Sequence, residues 1–275
     1  MTSIEGYNDV DPGVQIDRLI HASDGSDASQ ALTDLIEAAR DVTFVAAILQ
    51  HESFRSALLN LIATGNLMRS LDDEGDDVDE ASSTNEKILV EDGTSLSCDL
   101  LTNLLAVNTK VDTAKLFIRH RGKHGPAKFG VVHCLLDALS STSTLPYEKI
   151  HVISILRTLL KLKPQSLQDE LIRAPDGMHR AILEPAFGIT INEVAKVKIP
   201  EEMVRNEALV FAREFAEKSP ISRQLLVFNA GLEYSIRIAT ELEGGLWNLP
   251  ASSAVIIDCL GLCRVLVREE EAGGQ

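Results

Sequence analysis

Aromatic residues make up only 4% of this 275-residue chain, and its apolar set is led instead by Leu, Ile, Val and Ala. Sheet cores draw heavily on aromatic and β-branched side chains, so this scarcity favours helix packed on helix. Long apolar runs are missing too: no stretch reaches the roughly 18–20 residues a membrane span needs, which argues against membrane insertion. The polar, acidic start Met1–Gly13 has neither the positive leader nor the apolar core of an export signal. Cys98, Cys134, Cys259 and Cys263 lack CxxC spacing and read as buried thiols in a reduced compartment, so the expected location is cytoplasmic or nuclear. Positive charge is short as well. With 26 Lys/Arg against 41 Asp/Glu, the net charge of −15 argues against bulk attraction to nucleic acid.

Catalytic signatures are likewise missing. The chain has no G-x-S-x-G elbow, Walker A loop, G-x-G-x-x-G turn or kinase set, and with them go any expected catalytic residues, cofactor or enzyme activity. His120-x-x-x-His124 with His133-Cys134 is the nearest approach to a metal cluster. Gly122, Gly125 and Pro126 break the helix that would align the two histidines, so no metal is expected.

What the chain does have is a long repeat. Phe44–Leu49, Leu100–Leu105, Ile155–Leu160 and Val210–Phe215 are apolar helical anchors whose last residues lie 56, 55 and 55 positions apart. A second apolar helix follows each and ends near Gly65, Gly122, Gly177 and Gly231, which lie 16, 17, 17 and 16 residues beyond the anchors. Glycine suits a left-handed helix cap because it has no Cβ to clash. A third apolar segment comes next, at Leu67–Leu71, Phe129–Leu139, Met178–Leu183 and Leu232–Ile238, and Val255–Val267 makes a fifth, partial unit.

Three helices per unit with a glycine-marked turn resembles the armadillo repeat over about residues 41–268, and Leu101-Thr-Asn-Leu-Leu105-Ala-Val-Asn108 looks like that family's groove helix. The resemblance implies an all-α, armadillo-like α-solenoid, a right-handed superhelix of about four to five three-helix units. Capping helices would occupy 1–40, a disordered acidic loop 72–87 would interrupt the repeats of 41–268, and 269–275 would be a disordered tail. Such units bury their apolar faces only by stacking on neighbours. A narrower local similarity, from the acidic loop through Ile88-Leu-Val-Glu-Asp92 to Asn103-Leu-Leu105, looks like the armadillo-like head of Golgi vesicle-tethering factors.

Armadillo proteins hold partner peptides or helices in a concave groove, which implies a non-catalytic scaffold or adaptor whose partner is another protein. The alternative on this fold is a regulator of an enzyme or chaperone, or a tethering component. The family's groove Asn falls at Ala47, Asn103, Thr158 and Arg213 here, so only Asn103 matches and the peptide-clamping Asn ladder is missing. Asn103, Arg157, Thr158, Lys161 and Arg213 are the groove residues this reading selects. Charge is uneven as well: residues 110–163 hold ten Lys/Arg against three acids, or +7, leaving −22 for the rest of a chain of net charge −15. That basic middle is either an ordinary solvated surface, a site for an acidic partner segment, or a seat for the chain's own acidic loop. Within that loop, Ser82, Ser83 and Thr84 are candidate acceptors for an acidophilic kinase. Trp247, the only Trp, reads as a loop plug or an anchor for a partner.

Overall fold

The computed structural model of the chain describes residues 11–69, 86–107, 112–188, 201–240 and 253–268. These are helical apart from turns and one two-stranded hairpin, so the all-α expectation holds. The chain divides into two compact units, residues 1–144 and 145–275.

In the first unit, α1 (Pro12–Ile20) packs on α2 (Gly25–Ala38), and α2 with α3 (Val42–Ile48) and α4 (Glu52–Thr64) makes a triple. A second triple runs through α5 (Gly93–Ala106), α6 (Thr113–Arg119), a 3-10 turn at Pro126–Phe129, and α7 (Val131–Ser140). Helix α2 lies on α5, and α4 lies on both α5 and α7. In the second unit α8 (Pro146–Leu162), α9 (Pro164–Arg173) and a π turn at His179–Leu183 leading into α10 (Glu184–Phe187) form one triple. The next is α11 (Glu202–Lys218), α12 (Pro220–Phe228) and α13 (Gly231–Thr240), and α14 (Ser253–Leu266) then opens a third layer of this unit. The long helices α8, α11 and α14 lie side by side in that order. Two stacked helix triples in each unit, with α14 beyond, make this an armadillo-like α-solenoid.

Local chemistry sets where these helices begin. Asp24 accepts from the Asp27 N–H (2.9 Å), Asp41 from Thr43 (2.6 Å), Asp112 from Lys115 (3.1 Å) and Ser219 from Ser222 (3.1 Å). Each satisfies a donor that the first helical turn leaves open. Proline stands at the start of α8, α9 and α12, where its missing N–H costs nothing.

The first repeat departs from the sequence expectation. Helix α2 stacks on α5 and α4 on α7, so the first triple is α2–α3–α4, and Phe44–Leu49, in α3 and its cap, is the middle helix rather than the counterpart of Leu100–Leu105. Of the segment expected as a third helix at Leu67–Leu71, Leu67–Arg69 belong instead to strand β1 (Asn66–Arg69), paired antiparallel with β2 (Glu86–Leu89) in the register Leu67↔Ile88 and Met68↔Lys87, and Ser70 and Leu71 lie outside the described residues. A short apolar run fits strand or helix equally well by periodicity. Here Gly65, left-handed at φ 67°, turns the chain out of α4. Of the acidic segment 72–87, Glu86 and Lys87 belong to β2 and the remainder lies outside the described residues, as do Trp247 and 269–275. Gly25 sits where a Cβ would meet the Leu89 carbonyl oxygen at 2.1 Å, and Ser29 Oγ donates to Glu91 O (3.0 Å), so the hairpin is seated on α2.

The phased glycines serve two different purposes. Only Gly65 is a left-handed cap; at the third and fourth positions the left-handed residue is the one before the glycine, Asp176 (φ 53°) and Ala230 (φ 60°). Gly177 is needed for room: a Cβ there would stand 2.2 Å from the Leu171 carbonyl oxygen, and one at Gly231 would stand 2.9 Å from that of Leu226. At Gly122 a Cβ would meet Ala127 Cβ at 2.8 Å and Ser56 Oγ at 3.0 Å.

The two kinds of glycine separate on substitution. Gly177→Ala has to move backbone and is expected to cost about 2 kcal/mol or more. Gly65→Ala meets nothing closer than Thr94 Oγ1 at 3.5 Å and bears only left-handed strain, about 1 kcal/mol. Urea-denaturation midpoints of the two variants check the order.

Candidate partner-binding face

In the second unit the outer face of α8, α11 and α14 is tied together by ion pairs. Helical spacing places Glu207 and Glu214, seven residues apart on α11, on one side of that helix. Arg157 of α8 reaches both: its Nε donates to Glu214 Oε2 (3.0 Å), Nη2 to Glu214 Oε1 (2.8 Å) and Nη1 to Glu207 Oε2 (2.7 Å). A two-point guanidinium–carboxylate pair is stronger and more directional than a point-charge contact. The hydrogen bond and charge of Arg157 hold the Glu214 carboxyl below its ordinary pKa, and Glu214 raises that of Arg157 in return. Lys161, one turn along α8, adds a longer contact to Glu214 Oε1 at 3.9 Å. On the other side of α11, Arg213 reaches Asp258 of α14 at 3.7 Å.

The residues selected from sequence therefore separate. Arg157, Lys161 and Arg213 come together on this face. Arg157 is not a free groove cation: its side chain is 24% exposed, and three of its nitrogens donate to Glu207 and Glu214 of α11. Thr158 Oγ1 donates back into its own helix at Ser154 O (2.9 Å). Asn103 lies half-buried on α5 in the first unit, and Ser82, Ser83 and Thr84 lie outside the described residues. Sequence reasoning missed Glu207 and Glu214. The signal was available: Arg157 stands three residues before one anchor end and Glu214 one residue before the next, so opposite charges occupy the same helix of successive units.

Between α11 and α14 lies a groove of 740 Å³, with Arg213, Glu214 and Glu217 on the α11 side and Gly261, Arg264, Val265 and Arg268 on the α14 side.

The first unit brings together a serine and a histidine whose geometry settles their chemistry. His120, buried at the end of α6, has Nε2 3.0 Å from Ser56 Oγ and Nδ1 3.4 Å from Arg55 Nε. A guanidinium only donates, so Nδ1 accepts and Nε2 carries the proton, directed at Ser56. A general base for a serine needs its lone pair at that position, so the pair joins helices instead of activating a nucleophile. Burial, and then Arg55, push His120 below its ordinary pKa. His133 pairs with Asp137 (3.6 Å) and packs against the Phe129 ring at 4.7 Å, apart from His120 in role. Among the described residues no three His, Cys, Asp or Glu side chains are placed to hold a metal ion, and no helix is long and apolar enough to cross a membrane. Burial raises the thiol pKa of Cys134 and Cys263 and pushes that of Cys259 up to about 12, so these thiols stay protonated and unreactive near neutrality.

The chain matches no protein-family model and no curated protein sequence. Among solved structures it is similar to Uso1-2 at 16% identity and a TM-score of 0.48, over 97% of this chain and 36% of that one. Uso1-1 gives 16% identity and a TM-score of 0.46 over 93% and 36%, and an engineered protein 12% and 0.41 over 94% and 97%. The chain thus spans about a third of the length of the Uso1 chains.

A double-mutant cycle on Arg157→Ala and Glu214→Ala is expected to show a coupling of about 1–2 kcal/mol, because the pair is bidentate and partly shielded. Stability also responds to His120. Its folded pKa lies below its unfolded value, so the unfolded state takes up the proton first as pH falls. His120 favours the fold fully above about pH 6.5 and less so below it. Urea midpoints followed from pH 7.5 to 5.5 are expected to fall less steeply in His120→Gln. The share from His179, which burial also shifts down, is retained in that variant.

Proposed function

We propose that this protein is a non-catalytic scaffold or adaptor that holds a segment of another protein against the stacked long helices of its repeats. The observation that carries this reading is the α8–α11–α14 face. Ion pairs from Arg157 to Glu207 and Glu214, and from Arg213 to Asp258, fix the leading helices of three successive layers side by side. A face set in advance in this way lowers the ordering cost of binding. Repeated stacking also builds a surface longer than any single pocket, which suits an extended partner. Polar groups here pair with one another instead of converging on a reacting centre, and the serine–histidine pair has its proton on the wrong nitrogen for catalysis. Asn103, on α5 of the first unit, extends the same reading to a second set of stacked helices. The local similarity over Ile88–Leu105 is what would place such a scaffold in vesicle tethering.

Thermal unfolding in the presence of nucleotide, Mg²⁺ or Zn²⁺ separates a scaffold from an enzyme or a nucleotide-driven regulator. A ligand at 100 times its Kd stabilises by about 2.7 kcal/mol, which in a domain of ~150–250 residues moves Tm by several degrees. The expected result is a shift below about 1 °C with each addition. A larger, saturable shift would sink the scaffold reading.

A further inference from the structure

A titratable ring joins α6 to α4. His120 is 6% exposed; its Nε2 proton is directed at Ser56 Oγ, and its Nδ1 lone pair accepts from Arg55 Nε (3.4 Å). Arg55 is held in place from the other side, because Nη1 of the same guanidinium donates to the Leu49 carbonyl at the end of α3. The turn that follows His120 is seated on α4 as well. The Ala127 N–H donates to Asn60 Oδ1 (2.9 Å), and the Gly122 N–H donates to Ala127 O (2.9 Å). Gly122 lies close to α4, where a Cβ would meet Ser56 Oγ at 3.0 Å. Segment 113–130 is thus held to α4 through His120, Gly122 and Ala127, and of these contacts the one at His120 titrates.

A second proton on this ring has no favourable place to go. It would sit on Nδ1, the atom that now accepts, and an imidazolium donates at both nitrogens. The hydrogen bond from Arg55 would become two N–H groups facing each other. Little negative charge is at hand to compensate. The cleft beside the ring, 520 Å³ in volume, is lined by the cations Arg55, Lys115, Arg119 and Arg121 against Glu52 and Asp112. Asp112 is occupied at the start of α6, where it accepts from the Lys115 N–H (3.1 Å), so Glu52 is the acid left to offset an imidazolium. Of the other elements packed on this segment, α5 carries Asp99, α7 the His133–Asp137 pair and the 3-10 turn Lys128, and none of these lines the cleft. Lys115 and Arg119 are exposed, so the cleft reaches the surface and gives a proton its path.

Burial, and then Arg55, keep the seated ring neutral by lowering its pKa. The rest of the hold on the segment comes from buried Phe117, Ile118 and Ala127, whose contribution does not change with pH. The seated state therefore stays the main one, and acid raises the population of an opened minor state.

We propose that His120 is an acid-sensitive latch: a proton taken up at Nδ1 releases segment 113–130 from α4, and its loss lets the segment reseat. Once released, the ring titrates in water at about 6.5. Above that pH the latch contributes fully. Below it the opened population grows by up to about tenfold per pH unit, until the pH reaches the depressed value of the seated ring. Helix α6 is the middle helix of the second triple, so the latch loosens that triple on its α4 side and leaves α2 on α5.

Amide hydrogen exchange of the full chain, read by mass spectrometry at pH 7.5 and 5.5 and corrected for the intrinsic rate at each pH, tests this. Protection of peptides covering 116–130 is expected to fall by roughly five- to tenfold between the two, and that of α2 by less than about twofold. His120→Gln keeps a side-chain amide beside Ser56 and takes up no proton, and it is expected to abolish the difference. His120→Asn takes its place if that variant does not fold. Arg55→Met removes the opposed donor and is expected to shrink the fall, which a role of His120 in packing alone would not do. No fall in the parent chain, an equal fall in α2, a fall retained without His120, or an undiminished fall in Arg55→Met overturns the proposal. None of these readouts depends on a bound partner, so the latch stands or fails apart from the scaffold reading.

Discussion

No helix triple of this chain can bury its own apolar faces, and that constraint governs the rest. Helix α11 shows it most clearly. Val204, Ala208, Leu209, Phe211, Ala212, Phe215 and Ala216 are all buried along its 17 residues, a width of apolar surface that one neighbour could not cover. It is covered because α8 lies on one side and α14 on the other. At roughly 1.5–3 kcal/mol for each large side chain removed from water, this burial outweighs any single ion pair on the outer edge. The ion pairs contribute position: Arg157 reaches Glu207 and Glu214 together only if α8 and α11 keep one register and one rotation.

The same constraint explains which parts of the fold the sequence discloses. Anchors in α5, α8 and α11 are legible because an apolar stripe at helical spacing, recurring every 55 residues, has few alternative readings. The first unit was misphased by one helix because Phe44–Leu49 and Gly65 mimic that spacing while α2 does the stacking. Its buried residues, Ala28, Ala31, Leu32, Leu35 and Ala38, are mostly small and look like a cap. The hairpin was illegible for a different reason: Leu67 and Met68 are too few to show a period, and their partners lie across the acidic segment at Lys87 and Ile88.

Glycine carried the repeat signal correctly while its meaning differed. A left-handed cap and a close approach to the preceding helix both require a residue without Cβ, so both leave the same letter in the sequence. Gly65 represents the first case and Gly177 the second. Asp176 and Ala230 take the left-handed conformation where glycine was expected to, which frees the next residue to lie against a helix-end carbonyl. The candidate site was legible as a set of positions and illegible as chemistry. Helical phase places Arg157, Lys161 and Arg213 on an outer face, but whether each is free or paired depends on residues about fifty positions away, and those are settled only when the layers stack.

Position in the stack then decides what identical sequence grammar does. Helix α14 carries apolar residues on two sides, as α11 does, yet among the described residues it has neighbours on one side only, so Ile257 and Leu260 stand open where the inward-facing residues of α11 are buried. In α11 the second apolar side stabilises the fold. In α14 that side makes no such contribution, and its exposure carries a cost in solubility. Gly261 belongs to the packed side of that contrast: a Cβ there would stand 3.2 Å from Arg213 Nη1, so the glycine leaves room for the α11 side chain that reaches Asp258.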